Sequence, residues 1–252
     1  MSPAAWSEIA DDLVTLVLTS CDRPAFLERT LKSITACDLT GIKRIIVIED
    51  STNPEIEGIV TKCLQSVPHL FLQNEENIGQ IASIDRAYAH IDTPYIFHCE
   101  EDWLFPSGLF LAQSLMILEN HPKVHAVMVR IPGENPDNYY TKPKHTLNDV
   151  SYWITDPKIH RRWGSFSFNP GLRRTNDYTN ITSYMDIGPE RDISLHFKLQ
   201  GYSLAVLENG DVTHFGYERT VKLDETKRKR ALGYFFKSFK HRIQFLVYKH
   251  FK

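Results

Sequence analysis

The sequence predicts an α/β domain built on a largely parallel sheet covered by helices, and three observations carry that reading. Short β-branched and aliphatic runs alternate with segments whose apolar residues recur at helical spacing. The runs are apolar on both faces, as strands buried between two layers must be. Of the 252 residues 42% are hydrophobic and 24% charged, which supplies a sizeable core.

Residues 13–19 form the first strand, and Ser20-Cys21-Asp22-Arg23-Pro24 turns into a helix in which Leu27, Leu31 and Ile34 fall at i, i+4, i+7. Pro24 suits the first helical turn. Residues 45–48 give a second strand, stopped by Glu49-Asp50-Ser51-Thr52-Asn53-Pro54, and residues 55–65 are weakly helical. Residues 70–72 are a short third strand. After Asn77-Ile78-Gly79 a helix places Ile81, Ile84, Tyr88 and Ile91 on one face, and residues 95–99 form a fourth strand. A helix is expected from Ser107 to about Asn120, then a strand over 125–130. Residues 132–180 are rich in Pro, Asn, Asp, Tyr and Trp and have little periodicity, so they read as long irregular loops. Regularity returns with Pro189, Ile193 and Phe197, ends at Gly201 in a helix C-cap position, and leads to strands over 203–207 and 212–214.

With 29 Lys+Arg against 31 Asp+Glu, nothing in the overall balance calls for nucleic acid as a partner. Cys21, Cys37, Cys63 and Cys99 form no CxxC pair and read as reduced thiols. Glu8, Asp11 and Asp12 stand where a signal peptide needs a basic start, and no apolar run approaches the ~18 residues of a membrane span. A cytoplasmic chain is therefore expected, one that meets any membrane from its inner surface. The absence of P-loop, GxGxxG, HExxH and GxSxG motifs removes support for nucleotide hydrolysis, dinucleotide binding, zinc proteolysis and serine hydrolysis.

Parallel sheets bind ligands outside the carboxyl ends of their strands. Here those ends carry residues 19–22, Glu49-Asp50 and Glu100-Glu101-Asp102. In an extended chain residues i and i+2 point the same way, so Glu100 and Asp102 can face one cation. Oxygen ligands suit Mg²⁺ or Mn²⁺ and argue against structural zinc; a solvated acidic loop is the bland reading of the same triplet. The segment from His160 to Asn169 combines Arg161, Arg162, Trp163 and Gly164 with Phe166 and Phe168. Its aromatics could stack on a sugar beside arginines that clamp phosphate, or be core. From Lys227 onward, bases interleave with Leu232, Phe235, Phe236, Phe239, Ile243, Leu246 and Val247. That pattern fits an amphipathic helix on an anionic membrane and equally one packed on its own domain.

Residues 13–24, 45–51, Asn77-Ile78-Gly79 with Asp85-Arg86-Ala87, 95–102 and 190–201 stand in the order and spacing of a known family. They resemble family-2-like glycosyltransferases with the GT-A fold, a Rossmann-like, mostly parallel mixed sheet that binds nucleotide-diphospho-sugars. The resemblance covers about 13–107 and 160–215. It implies a catalytic domain over 1–216, with a nucleotide-sugar-binding half to about 106, an acceptor-binding half from about 107, and a basic helical tail over 217–252.

The same resemblance implies roles by position. Glu100-Glu101-Asp102 looks like the family's DXD element, with Asp102 and Glu100 toward Mn²⁺ or Mg²⁺ and His214 as a further metal or diphosphate ligand. Thr19, Ser20, Arg23, Glu49, Asp50, Gly79 and Arg86 would hold the nucleotide of a UDP- or GDP-linked donor. Arg161, Arg162, Trp163 and Gly164 would line the acceptor or diphosphate. Glu190 stands where inverting members place their general base, with Asp192 as the reserve; favourable charge at a helix N-terminus is the bland alternative for Glu190. The implied activity is transfer to a carbohydrate or lipid-linked acceptor in polysaccharide or glycan assembly. A sugar-phosphate nucleotidyltransferase would need glycines in the loop after the first strand, which this chain lacks. A catalytically inactive sugar-binding protein stays open because Glu replaces Asp at 100 and 190, and a carboxylate displaced by about 1 Å costs roughly a hundredfold in rate.

Overall fold

The computed structural model describes residues 12–132, 144–216 and 244–249. Its centre is a nine-stranded mixed sheet in the order β3-β2-β1-β4-β9-β6-β10-β8-β7, where β1 is Val14–Ser20, β2 Ile42–Glu49, β3 His69–Gln73, β4 Tyr95–Glu100, β6 Val124–Met128, β7 His145–Leu147, β8 Val150–Ile154, β9 Gly171–Arg174 and β10 Ser203–Leu207. β1 to β4 pair in parallel, and the register sets Thr19 beside Ile48 and Glu100, and Ser20 beside Glu49. The polar residues that end the apolar runs therefore line one edge.

Both faces of these strands are covered, which is why the runs do not alternate. Val14, Leu16 and Leu18 pack with Leu27, Leu31 and Ile34 of α1 (Pro24–Thr35) and with Ile56, Val60 and Leu64 of α2 (Glu55–Leu64). Val17, Ile46 and Ile48 turn to the other face and meet Ile84, Ala87 and Tyr88 of α3 (Gln80–Tyr88).

The stretch read as irregular holds β7, β8, β9 and the short helix α5 (Thr175–Thr179). Its strands escaped notice for physical reasons. β7 and β8 form the outer edge of the sheet, and β9 is four residues long with two arginines. β9 runs antiparallel between β4 and β6 and is the strand that joins the two halves of the sheet. Its Gly171 lies against β6 so closely that an added Cβ would stand 2.4 Å from the Val127 carbonyl oxygen. No residue but glycine fits there.

The helix expected from Ser107 begins later, as α4 (Leu111–Asn120). Gly108 at φ +154° and Phe110 at +53° break helical geometry before it. After α6 (Tyr184–Ile187) and α7 (Glu190–Leu199), Gly201 takes φ +82° just past the helix end, as its place in the sequence predicts. The last expected strand forms as β11 (Thr213–His214), which leaves the main sheet to pair antiparallel with β5 (Trp103–Leu104).

The basic run Lys227-Arg228-Lys229-Arg230 lies outside the described residues. Residues 244–249 are helical and bury Phe245 and Tyr248 against Leu195 of α7, while Leu246 and Val247 are exposed. All four cysteines are free. Among the described residues no helix is long and apolar enough to cross a membrane.

Candidate active site

The turn from β4 into β5 presents Glu100, Glu101 and Asp102 at the carboxyl edge of the sheet, and distant parts of the chain close on it. From the loop after β1, Arg23 Nη1 donates to Glu101 Oε1 at 3.1 Å and to Asp102 Oδ2 at 2.7 Å. The pairing of β11 with β5 sets His214 opposite Trp103, so its Nε2 comes 3.2 Å from the same Asp102 Oδ2. Gly216 lies against this carboxylate: an added Cβ would stand 2.2 Å from Oδ2. Asp102 Oδ1 is buried without a hydrogen-bond partner. Thr30 Oγ1 donates to the Glu101 carbonyl and fixes the turn from below.

Crowded carboxylates in a low-dielectric edge resist ionisation. Burial, followed by the charges of Asp102, Glu101 and Glu190, pushes Glu100 up to about 8; burial and then Asp102 push Glu101 up to about 7. Glu190, in the second half of the chain, is thus within electrostatic reach of this edge. Glu100 itself accepts from Gln80 Nε2 and from Trp103 Nε1, the side chain whose ring packs on His214. Among the described residues no three carboxylate, imidazole or thiolate side chains stand ready as a metal cluster.

Glu190 opens α7 and leans away from its own helix. Its Oε1 accepts from the Phe168 backbone N–H at 2.9 Å and from Ser167 Oγ at 3.1 Å, and burial pushes its pKa up. Asp192 is buried in the same turn. The loop that holds Glu190 is itself held by Arg173, a fully buried guanidinium on β9 whose Nη2 donates to the Ser167 carbonyl at 2.9 Å. Phe166 and Phe168 are core, as the bland reading of that segment has it, while Trp163 is only half-buried. Arg162 is buried and Arg161 half-buried.

This segment, with Gly164 at φ +100°, is pinned by Lys198 of α7, whose buried ammonium donates to the carbonyls of Pro157 at 2.7 Å, His160 at 2.5 Å and Trp163 at 2.6 Å. Sequence reasoning offers Arg173 only as a cation for a diphosphate and does not foresee that Arg173 and Lys198 hold these loops. The signal for Lys198 was its helical spacing from Ser194 and Leu195, both on the packed face.

On the other side of the edge Glu49 is fully buried. Its Oε1 accepts from the Asp22 N–H at 2.7 Å and from Ser51 Oγ at 2.5 Å, whereas its Oε2 and the neighbouring Ser20 Oγ are buried without partners. Thr19 is buried beside them. Asp50 serves as a scaffold, accepting from the backbone of Ile78 and Gly79, each at 2.8 Å, and from Asn74 at 2.7 Å. Gly79, at φ +93°, supplies the left-handed backbone that this turn requires. Arg86 donates to the Gln73 carbonyl at 2.9 Å and to Asn74, so it stands at the end of β3 bonded to the protein. Asp85 accepts from Tyr178 and from the backbone of Tyr184 and Met185, bracing α6.

Comparison with known proteins agrees with this architecture. The model of Glycosyl transferase family 2 matches residues 15–186. A processive diacylglycerol beta-glycosyltransferase of Mycoplasma pneumoniae is 28% identical over 93 residues, 36% of this chain and 27% of that protein, so the chain spans about a quarter of its length. Among solved structures, the mannosyltransferase PcManGT from Pyrobaculum calidifontis, in complex with GDP-Man and Mn²⁺, superposes with a TM-score of 0.58 at 12% identity over 97% of this chain and 68% of that one. GalNAc-T7 with UDP, GalNAc and Mn²⁺ gives a TM-score of 0.63 at 11% identity, over 85% of this chain and 45% of that one. At such identities the structural likeness speaks for the fold, which is GT-A. With its family model spanning more than half of the sequence and the GT-A sheet beneath it, the chain belongs to glycosyl transferase family 2, a family of glycosyltransferases.

Proposed function

We propose that the protein transfers a sugar from a UDP- or GDP-linked donor to an acceptor hydroxyl, with inversion and with a divalent ion. The observation that carries this reading is the convergence of Arg23, Asp102 and His214 at the strand edge, in a space whose Glu100 also feels Glu190.

The residues present fit a divalent ion. Asp102 Oδ1 is a buried, unbonded oxygen, and His214 reaches the other oxygen of the same carboxylate. Asp102 and His214 would hold Mn²⁺ or Mg²⁺, with Glu100 beside them and the donor's diphosphate completing the shell. When bound, the ion supplies stabilisation of negative charge on the departing nucleoside diphosphate. Structural neighbours were solved with GDP-Man and Mn²⁺ and with UDP-GlcNAc, which supports a donor of this class.

The chain's own groups account for the rest. Glu49 Oε2, Ser20 Oγ and Thr19 offer buried polar atoms to the nucleoside. Gly79 shapes the turn beside them, Asp50 braces it and Arg86 lies at its flank. Glu190 takes the proton of the acceptor hydroxyl as its oxygen bonds to the anomeric carbon, and the bond from that carbon to the diphosphate oxygen breaks. Asp192 stands in the same turn, and the 157–164 segment, with Arg161, Arg162 and Trp163, lines the acceptor side. The Mycoplasma relative is named for diacylglycerol, and a lipid-linked or carbohydrate hydroxyl is the acceptor in this reading.

The test is thermal. UDP- or GDP-sugar with Mn²⁺ raises the melting temperature of the wild type and leaves Asp102→Asn unchanged. No metal-dependent shift across a donor panel would refute the reading.

A further inference from the structure

We infer that Arg23 is a resident cation on Asp102 which a divalent ion must displace, and that the nucleotide's diphosphate, by taking over the guanidinium, couples metal entry to nucleotide binding. This rests on the reading of Asp102 and His214 as the ion's ligands.

One carboxylate oxygen is contested. Asp102 Oδ2 receives Arg23 Nη1 at 2.7 Å and faces His214 Nε2 at 3.2 Å. The point that both ligands share is thus filled by a positive group. An ion shared by Asp102 and His214 would meet the carboxylate on its Oδ2 side, about 2.1 Å from that oxygen whether or not Oδ1 also binds it, and a guanidinium at hydrogen-bond range on the same atom would repel it strongly. Gly216 walls the carboxylate on one side, and the Trp103 ring backs His214 at 4.9 Å between ring centroids, so the pair has little room to turn elsewhere.

The rest of the guanidinium is held in place but short of acceptors. Arg23 lies over the Phe26 ring at 4.0 Å, and Phe26 stacks on Phe215 at 5.3 Å, so the side chain is held flat and its fork is presented as a unit. Its Nε and Nη2 are buried with no hydrogen-bond partner. Buried donors left unmade are costly, and a buried charged donor more so. A diphosphate offers pairs of oxygens that such a planar fork can engage through two hydrogen bonds at once. In the free protein, then, Arg23 neutralises Glu101 and Asp102. With nucleotide bound, phosphate oxygens replace the carboxylates as its partners, and the ion replaces it on Asp102. Each ligand makes room for the other, and the coupling is reciprocal.

Mn²⁺ binding, read by loss of the free-ion electron paramagnetic resonance signal, tests this without turnover. MnCl₂ is titrated into the wild type, Arg23→Met and Arg23→Lys, alone and with UDP or GDP, with circular dichroism to verify folding. In the wild type, nucleotide should tighten Mn²⁺ binding on the order of tenfold or more. Arg23→Met should bind Mn²⁺ alone about tenfold more tightly than the wild type, with a smaller gain from nucleotide, and Arg23→Lys should stay near the wild type. If Arg23→Met binds Mn²⁺ alone no better than the wild type, while the wild type binds it with nucleotide, the displacement idea fails and the metal reading stands. If no form binds Mn²⁺ under any condition, both fall.

Discussion

Glu190 is half-buried and accepts two hydrogen bonds on one of its oxygens, and each feature has a measurable outcome. A general base works deprotonated, so activity must fall as pH drops through its pKa, and burial raises that pKa above the ordinary carboxylate value. The acid limb of the pH–rate profile should therefore lie above the usual carboxylate range. Glu190→Gln should lower kcat by about 10²–10⁴ and abolish the limb. For stability the sign is opposite. A carboxyl whose pKa is raised on folding favours the folded state below its unfolded pKa, and that contribution is lost as pH rises through the folded pKa. Glu190→Gln should thus melt no lower than the wild type at pH 8. Retained activity would remove Glu190 from the chemistry, and a collapse in melting temperature would reveal a structural post.

Among elements, β9 contrasts with β1. β1 was legible because its seven residues are buried and six of them are β-branched or aliphatic. β9 was not, because a sequence does not distinguish a buried arginine such as Arg173 from a solvated one, and four residues carry no period. The same blindness hid Lys198, a basic residue in an amphipathic helix that ordinary patterning assigns to water. The site was legible in outline, since carboxylates ending apolar runs must gather at one edge. Its finer assignments depend on contacts that spacing does not encode: Asp50 and Asp85 hold loops, and Glu100 turns to Gln80. β9 makes its own prediction. Gly171→Ala should cost about 3 kcal/mol or more in denaturant unfolding, since the new methyl meets the backbone of β6. A loss under about 0.5 kcal/mol would show that β9 and β6 can part freely.

For the molecule as a whole, the last described segment looks both ways. Phe245 and Tyr248 pack on α7, and Phe245 lies 5.5 Å from the Lys198 ammonium, while Leu246 and Val247 are 48% and 52% exposed on the outer side. An apolar outer face in a chain whose sequence also carries the basic run 227–230 is what an anionic surface would attract. Deleting residues 217–252 should abolish co-sedimentation with anionic liposomes and lower the melting temperature by a few degrees as Leu195 is uncovered. Unchanged sedimentation would end the membrane idea. The insertion of β9 between β4 and β6 reaches further, to how the chain is made. While the ribosome has released only β1 to β4, the last of these remains an open strand edge that attracts other chains. Its proper neighbour arrives only when residues 171–174 emerge, so a nascent or truncated product ending near residue 106 should need chaperone protection that the finished protein does not.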